Sequence, residues 1–353
     1  MARRNIIVIG ASAGGVEALT HIASALPPTL PASIFIVQHI APHANSVLPE
    51  LVARAGPLPA KHPEDGERIQ ERCIYVAPPD LHMLVKRGVV ILRRGPHENR
   101  TRPAIDPLFR SAAVAYASRV VGVVLTGLLD DGTAGLIAVK RCGGTSVVQN
   151  PADALWPAMP RNALERDHVD HCVLLSELPA LLVRLAHQQA EPSPPIPPPL
   201  ALEARMAERE FPPMTTTEQS PLGHPSRLSC PQCGGVLNDV NEEGAARFRC
   251  QIGHGFTPEG LLAAQDDELE RALAIAVRTH RDRLHLFRQM AASAQARGLS
   301  RSEAHWVRAA GEAERLAESI EKAIAALRRS EKILSAGENE PVAAGVVGPT
   351  ELS

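Results

Sequence analysis

A serine stands at the corner of Gly10-Ala11-Ser12-Ala13-Gly14-Gly15, between two runs of different character. The approach, Asn5-Ile6-Ile7-Val8-Ile9, is apolar and β-branched, as a buried parallel strand requires. The exit, Val16 to Ala23, reads as a helix. A hydroxyl at such a strand-to-helix corner projects off the sheet end, beside free helix amides that favour negative charge. Gly10-x-Ser12-x-Gly14 fits the local pattern of a nucleophile elbow, so hydrolysis by a serine nucleophile is the chemistry this turn suggests. The rival is a nucleotide-binding turn. It needs glycine where Ser12 stands, an acid at the end of the second strand where His39 stands, or a P-loop lysine that does not follow.

His39 ends the second strand-like run, Ser33 to His39, as Ser12 ends the first. Neighbouring parallel strands lie about 4.8 Å apart, so side chains at their ends can meet. A neutral imidazole there would take the Ser12 proton during attack and return one to the leaving group. A third member should be a carboxylate that orients the ring. The run Val120 to Thr126 ends in Gly127-Leu128-Leu129-Asp130-Asp131-Gly132, which offers two. One of them serves as well for a turn or a helix cap, and geometry alone leaves Asp130 and Asp131 open.

A second chemical cluster lies far along the chain. Cys230-x-x-Cys233 followed by Cys250-x-x-x-His254 has the spacing of a four-ligand zinc site. Gly234-Gly235 permits the tight turn that presents two thiolates to one ion. Four such ligands leave no open position, so the zinc expected here is structural. His224 is a substitute ligand. Arg227, Arg247, Arg249, Phe248 and Phe256 offer too little for phosphate contacts and base stacking, and no nucleic-acid partner is expected. Cys73, Cys142 and Cys172 are isolated in apolar runs and read as buried, reduced core thiols.

The elements that must position these groups follow from periodicity. Residues 5 to about 187 alternate strands (5–10, 33–39, 73–77, 89–93, 120–126, 145–149, 171–175) with helices (near 14–26, 45–55, 105–117, 133–141, 177–187). Such alternation predicts an α/β fold, a doubly wound and mostly parallel sheet, with a hairpin around Gly88 as its antiparallel part. Six prolines in 191–199 predict an extended spacer that excludes a core element, and 188–228 is read as linker with a short helix near 200–210. Residues 229–256 form the small zinc-knuckle unit. In 257–335, Leu262, Leu269, Leu273, Val277, His280, Leu284, Phe287 and Ala291 recur at helical spacing, and Gly298 breaks the run before Ser300 and Ser302. A helical hairpin is expected there, with a disordered tail over 336–353. A chain of 353 residues with 37 basic and 39 acidic side chains, net charge −2, favours neither nucleic acid nor an anionic membrane. No apolar run is long enough to span a bilayer, and the stretch after Arg3-Arg4 breaks at Gly10, too short for a signal peptide. A cytoplasmic location is expected.

The glycine turn, Gln38-His39 and Leu125-Thr126-Gly127-Leu128-Leu129-Asp130-Asp131-Gly132 together resemble the catalytic domain of the chemotaxis methylesterase family CheB. Tyr75-Val76-Ala77-Pro78, His82-Met83, Arg102-Pro103-Ala104-Ile105-Asp106-Pro107-Leu108-Phe109 and Met159-Pro160-Arg161-Asn162-Ala163 extend the likeness across about 5–187. The resemblance implies hydrolysis of glutamyl methyl esters on the cytoplasmic helices of methylated chemoreceptors, deamidation of certain glutamines, and no catalytic cofactor. It places nucleophile, base and orienting acid on Ser12, His39 and Asp131. The order Ser–His–Asp differs from the Ser–Asp–His of α/β-hydrolases. Three departures stand out. Ala13 replaces a frequent threonine, Leu128-Leu129 replace a frequent methionine and glycine, and the chain starts too near its first strand for a receiver domain. The C-terminal helices are then the expected surface for a regulatory protein. The alternative from another class is a sensory adaptor with a vestigial esterase domain, acting through its zinc unit and helices.

Overall fold

The computed structural model describes residues 3–208, 223–240 and 246–338; the tail read as disordered lies outside them beyond 338. The chain runs β1 (Ile6–Ala11), α1 (Gly15–Ala25), β2 (Ser33–Gln38), α2 (Leu48–Ala55), β3 (Ala60–Lys61), β4 (Ile74–Val76), β5 (His82–Lys86), β6 (Val89–Arg93) and α3 (Ile105–Tyr116). It continues through β7 (Val120–Val124), α4 (Thr133–Arg141), β8 (Thr145–Gln149), α5 (Ala158–Arg166), β9 (His171–Val173), α6 (Leu178–His187) and α7 (Pro198–Ala207). Then come β10 (His224–Ser229), β11 (Val236–Asp239), β12 (Phe248–Cys250), β13 (Gly255–Phe256), α8 (Pro258–Ala296) and α9 (Ser300–Glu338).

Seven strands form one sheet in the order β3-β4-β2-β1-β7-β8-β9, and every neighbouring pair is parallel. Alternation along β1 sends Ile7 and Ile9 to one face and Ile6 and Val8 to the other. The first face is closed by Leu19 and Ile22 of α1 and Leu181, Leu182 and Leu185 of α6. The second is closed by Leu108 and Phe109 of α3, Leu136 and Val139 of α4, and Met83 and Val85 of the β5–β6 hairpin. That hairpin turns at Gly88, whose φ of +82° explains the glycine. The order switches at β1, with β2 on one side and β7 on the other, so the crevice beyond their carboxyl ends is where such sheets hold ligands.

Three expectations need correcting. The proline-rich segment is not a bare spacer: Ile196 packs against the second core and Leu200, at the start of α7, is buried in it. Residues 158–166, given no helix above, form α5; Pro160 sits in its first turn, where a proline removes no helical hydrogen bond. Cys172 lies on the edge strand β9 and is exposed, whereas Cys73 and Cys142 are buried.

Contacts divide the chain into a unit over Met1–Ala264 and one from Gln265 onward. In the second, α8 and α9 form the hairpin, with Gly298 at φ +68° in the turn. Phe287 stacks on Trp306 at 5.8 Å, Arg281 pairs with Glu321, and Val277, Ala291, Ala310 and Ala313 are buried. Leu262 and Leu269, expected on the apolar stripe, are exposed. Among the described residues no helix is long and apolar enough to cross a membrane.

Candidate functional site

Ser12, His39 and Asp131 each follow one of the three central strands and meet beyond the carboxyl ends of β1, β2 and β7. The ladder continues past the strands to hold them: the Ser12 amide donates to the Thr126 carbonyl and the His39 amide to that of Ala11. Gly14, at φ +74°, turns the chain into α1. Gly15 leaves room for Gln38, whose amide Nε2 donates to the Ser12 carbonyl at 2.7 Å; a Cβ at Gly15 would strike Gln38 Oε1 and approach Ala11 Cβ to 2.7 Å. Gly127 is equally constrained, since its Cβ would lie 2.8 Å from that of Ser12 and strike Met159 Sδ.

His39 Nδ1 lies 3.2 Å from Ser12 Oγ, and His39 Nε2 lies 2.7 Å from Asp131 Oδ2. A carboxylate only accepts, so the Nε2 proton points at Asp131 and the Nδ1 lone pair faces the hydroxyl. Thr101 Oγ1 is also near Nε2, at 3.4 Å. Asp131 is buried at 2 % exposure and accepts four hydrogen bonds. Besides His39, the Ile105 amide donates to Oδ2 at 2.7 Å, and Asn99 Nδ2 and the Asp106 amide donate to Oδ1 at 2.8 and 3.2 Å. The two backbone donors open α3, whose positive end faces the carboxylate. Burial pushes the Asp131 pKa up, but its bond to His39, the charge of that ring, Ile105 and Asn99 outweigh burial and hold it below the usual carboxylate value.

The choice between the two aspartates is made by a turn. Leu129 adopts φ +61° and is held by Asn162 Nδ2 on its carbonyl. Asp130 consequently faces away from His39, accepting from the Thr257 hydroxyl at 2.7 Å and from Arg166 at 3.3 Å. Burial first, then the neighbouring acids Glu259 and Asp106, push the Asp130 pKa up to about 7. Asp106 is likewise raised to about 7 by burial and by Asp131, while its Oδ1 takes the amides of Gly132 and Gly135.

Sequence reasoning did not find Asn99. Its φ is +49°, and its amide donates to both Asp131 and Asp106, at 2.8 and 2.9 Å. Its Oδ1 accepts from the Thr257 backbone amide, which fixes the side chain with its NH2 toward the carboxylates. The only signal was a polar Asn-Arg-Thr run ahead of an apolar helix, which is not specific. Around Ser12 the amides of Ala13 and Leu128 have no hydrogen-bond partner among the described residues. Leu128, Leu155 and Trp156 are exposed, and Leu155 abuts Gly14.

The second cluster assembles as well. Cys230, Cys233, Cys250 and His254 bring their ligand atoms within 4.8 Å of one another. Sγ of Cys230 and of Cys250 lie 3.6 and 3.5 Å from His254 Nδ1, and Sγ of Cys233 lies 3.7 Å from that of Cys250. A tetrahedron with metal–sulfur bonds of about 2.3 Å and metal–nitrogen bonds of about 2.05 Å has S–S edges of about 3.8 Å and S–N edges of about 3.6 Å, so the cluster can hold a metal ion. Gly234 and Gly253, at φ +71° and +109°, make the two tight turns beneath it. His224 opens the exposed β10 and is not among the four. Arg247 and Arg249 are committed to the buried carboxylates of Glu203 and Glu98.

Hydroxyl, imidazole and buried carboxylate in series, at the switch point of a parallel sheet, are the features of a serine-nucleophile hydrolase on an α/β fold. The CheB methylesterase family model matches residues 7–182. A Leptospira interrogans protein, provisionally named a protein-glutamate methylesterase/protein-glutamine glutaminase, is 37 % identical over 186 residues, which cover 52 % of this chain and 96 % of that one. A Yersinia pestis protein of that name is 37 % identical over 195 residues, covering 54 % of this chain and 56 % of its own. The crystal structure of the Thermotoga maritima CheB methylesterase catalytic domain is 33 % identical with a TM-score of 0.50, covering 52 % of this chain and 100 % of that one. The chain belongs to the CheB methylesterase family and carries a C-terminal extension beyond the domain.

Proposed function

We propose that this chain is a protein-glutamate methylesterase that hydrolyses glutamyl methyl esters on methylated chemoreceptors in the cytoplasm, and deamidates receptor glutamines by the same route. The observation that carries the reading is the unbroken series Ser12 Oγ, His39 Nδ1, His39 Nε2, Asp131 Oδ2, at 3.2 and 2.7 Å. Ser12 Oγ attacks the ester carbonyl while His39 Nδ1 takes its proton. The buried charge of Asp131 holds the ring and balances the imidazolium. The free amides of Ala13 and Leu128, on the two turns beside the nucleophile, are the donors for the oxyanion. His39 returns its proton to methoxide, methanol leaves, and a water activated by the same imidazole releases the glutamate carboxylate. In the glutamine reaction ammonia takes the place of methanol.

Neither departure beside the nucleophile removes a group this mechanism uses. Ala13 and Leu128 contribute backbone amides, and the Leu128 side chain projects to solvent with Leu155 and Trp156. That exposed apolar rim suits a protein helix better than a small polar ester. Mass spectrometry of methylated receptor peptides tests the proposal: a loss of 14 Da per site and released methanol are expected with the native chain. Undiminished conversion by Ser12→Ala would sink it.

The four-ligand cluster is assigned a structural zinc. Three sulfurs and one imidazole are the donor set of such sites, and they leave no open position for chemistry. Bound there, zinc supplies cross-linking of two turns; the esterase steps need no cofactor. Metal analysis of the full chain decides: near one equivalent is expected, and less than about half overturns the assignment.

A further inference from the structure

Among the contacts that residues beyond the domain make with it, those of the Cys/His module reach the support of Asp131. Around its last two ligands, the Cys/His module lays residues 249–257 along residues 96–99. Gly253 meets Pro96: a Cβ on Gly253 would lie 3.0 Å from it. The Gly255 amide donates to the His97 carbonyl at 3.2 Å, and the Asn99 amide donates back to the Gly255 carbonyl at 2.9 Å. Arg249, one residue before Cys250, holds Glu98 through two contacts at 3.3 and 3.0 Å, and Glu98 also takes Arg110 of α3. The Thr257 amide donates to Asn99 Oδ1, and the Thr257 hydroxyl to Asp130 Oδ1.

These contacts converge on the orientation of one amide. Asn99 is buried at 7 % exposure, and its Oδ1 and Nδ2 have opposite hydrogen-bonding roles. Nδ2 must face Asp131, because Asp131 Oδ1 is an acceptor. Asp131 and Asp106 hold the NH2 on the near side, and the Thr257 N–H holds the oxygen on the far side, where a flipped amide would set its NH2 against another donor. The backbone at Asn99, with positive φ, is pinned by Gly255, the residue after the ligand His254. His254 and Cys250 are tied to each other through the Cys250 amide on the His254 carbonyl and the Gly253 amide on the Cys250 carbonyl. An ion bound by both would stiffen the turn that carries Gly255 and Thr257.

We propose that the Cys/His module is a metal-dependent clamp on the active site. Asn99 is a positioning residue that acts on His39 through Asp131, and metal occupancy sets how well Asn99 is held. The kinetic part rests on the methylesterase reading; the structural part does not.

The test uses the full chain, as purified with zinc and after stripping with a chelator, as native protein and as Asn99→Ala. Hydrogen–deuterium exchange reads the clamp directly. On stripping, peptides covering 97–101 should lose protection together with 248–257, while β1 and β7 keep theirs. Turnover of methylated receptor peptide should fall by about tenfold to a hundredfold on stripping, and by a similar factor in Asn99→Ala, with KM within about twofold in both. The decisive reading is their combination. Stripping Asn99→Ala should cost less than about a further twofold, because metal and amide act through one contact. Losses that multiply would overturn the proposal. So would a stripped chain in which 248–257 opens while 97–101 stays protected and turnover is unchanged, or a purified chain with less than about half an equivalent of metal. Loss of 97–101 protection in a chain lacking any Ser12-dependent activity would uphold the clamp and sink the esterase reading, so the two failures are distinct.

Discussion

Replacing Asp131 with asparagine keeps the shape of the side chain and reverses what half of it can do. Asp131 accepts four hydrogen bonds, two on each oxygen. The amide has one oxygen to place. If that oxygen takes the Oδ2 position, the new NH2 meets two donors, Asn99 Nδ2 at 2.8 Å and the Asp106 amide at 3.2 Å. Asn99 cannot turn away, because Thr257 and Asp106 hold both ends of its amide. If the oxygen takes the Oδ1 position, the NH2 meets the Ile105 amide and His39 Nε2. Only one of those is an obligate donor, since the ring can shift its proton to Nδ1. The second placement therefore wins, at the cost of one buried donor facing another, about 1–3 kcal/mol of stability. The tautomer it selects points a proton at Ser12 and leaves no base. A tautomer reversal of this kind costs about 10⁴ in turnover, or about 5 kcal/mol on the barrier. The expected result for Asp131→Asn is a folded protein with kcat lower by about four orders of magnitude and KM little changed, read by methanol release. Turnover within about tenfold of native would refute the tautomer argument.

Gly127→Ala pushes a methyl against Ser12 Cβ and the Met159 thioether; the thioether can move and the nucleophile's backbone cannot. Turnover should fall about a hundredfold with a modest drop in Tm, and a native kcat would show the turn to be compliant. Glu98→Ala leaves Arg249 buried without its carboxylate and Arg110 with only Glu203, at 3.4 Å, which should cost about 3–5 kcal/mol in urea unfolding; a loss under about 1 kcal/mol contradicts the pairing. Asp130→Asn should leave turnover within a few fold, since Asp130 faces Thr257 rather than His39. Its signature lies in pH. A carboxyl raised from 3.8 to about 7 stabilises the fold fully below pH 4 and loses that contribution as pH rises through 7. Relative to native, Asp130→Asn should therefore gain stability from about pH 4 to pH 7, by up to about 1.4 kcal/mol per pH unit, and level off above. A difference independent of pH would remove the buried-acid argument.

Ser12 and His39 were legible because buried parallel strands leave a plain record: unbroken apolar runs, each ending where a polar side chain must leave the sheet. Asp131 was legible only as one of two. What separates it from Asp130 is the φ of Leu129 and the bond from Asn162, and neither leaves a periodic trace. Asn99 was invisible, because its partners are 7, 32 and 158 residues away and it sits in a loop without a period. Arg247 and Arg249 looked like weak basic surface. Their partners Glu203 and Glu98 lie 44 and 151 residues distant, and only the fold turns four scattered charges into buried pairs. The four metal ligands were legible as a set, since Cys-x-x-Cys and Cys-x-x-x-His each fix a local turn. That the turn between the last two presses on the active site was not.

The relative from Leptospira interrogans consists almost entirely of the matching domain, 96 % of its length, and the Thermotoga maritima structure is that domain alone. The extension is therefore an addition to a domain that makes up nearly all of the Leptospira protein, and its effect on turnover has a sign that truncation can read. An inhibitory module would occlude Ser12, and residues 1–190 would then be faster than the full chain. The contacts point the other way. Those of the Cys/His module lie behind Asp131, on Asn99 and Asp130, and among its described residues none contacts Ser12 Oγ or His39. Truncation removes Arg249, Glu203 and Arg247 at once and leaves Arg110 to Glu98 alone. A buried ion network adds little net stability but fixes one docking register, so its loss frees the 96–101 loop before it loosens the sheet. Residues 1–190 should keep the sheet and a measurable KM and turn over more slowly than the full chain, by about the factor that metal stripping costs. A faster truncated chain would mean that the extension restrains the site instead of holding it.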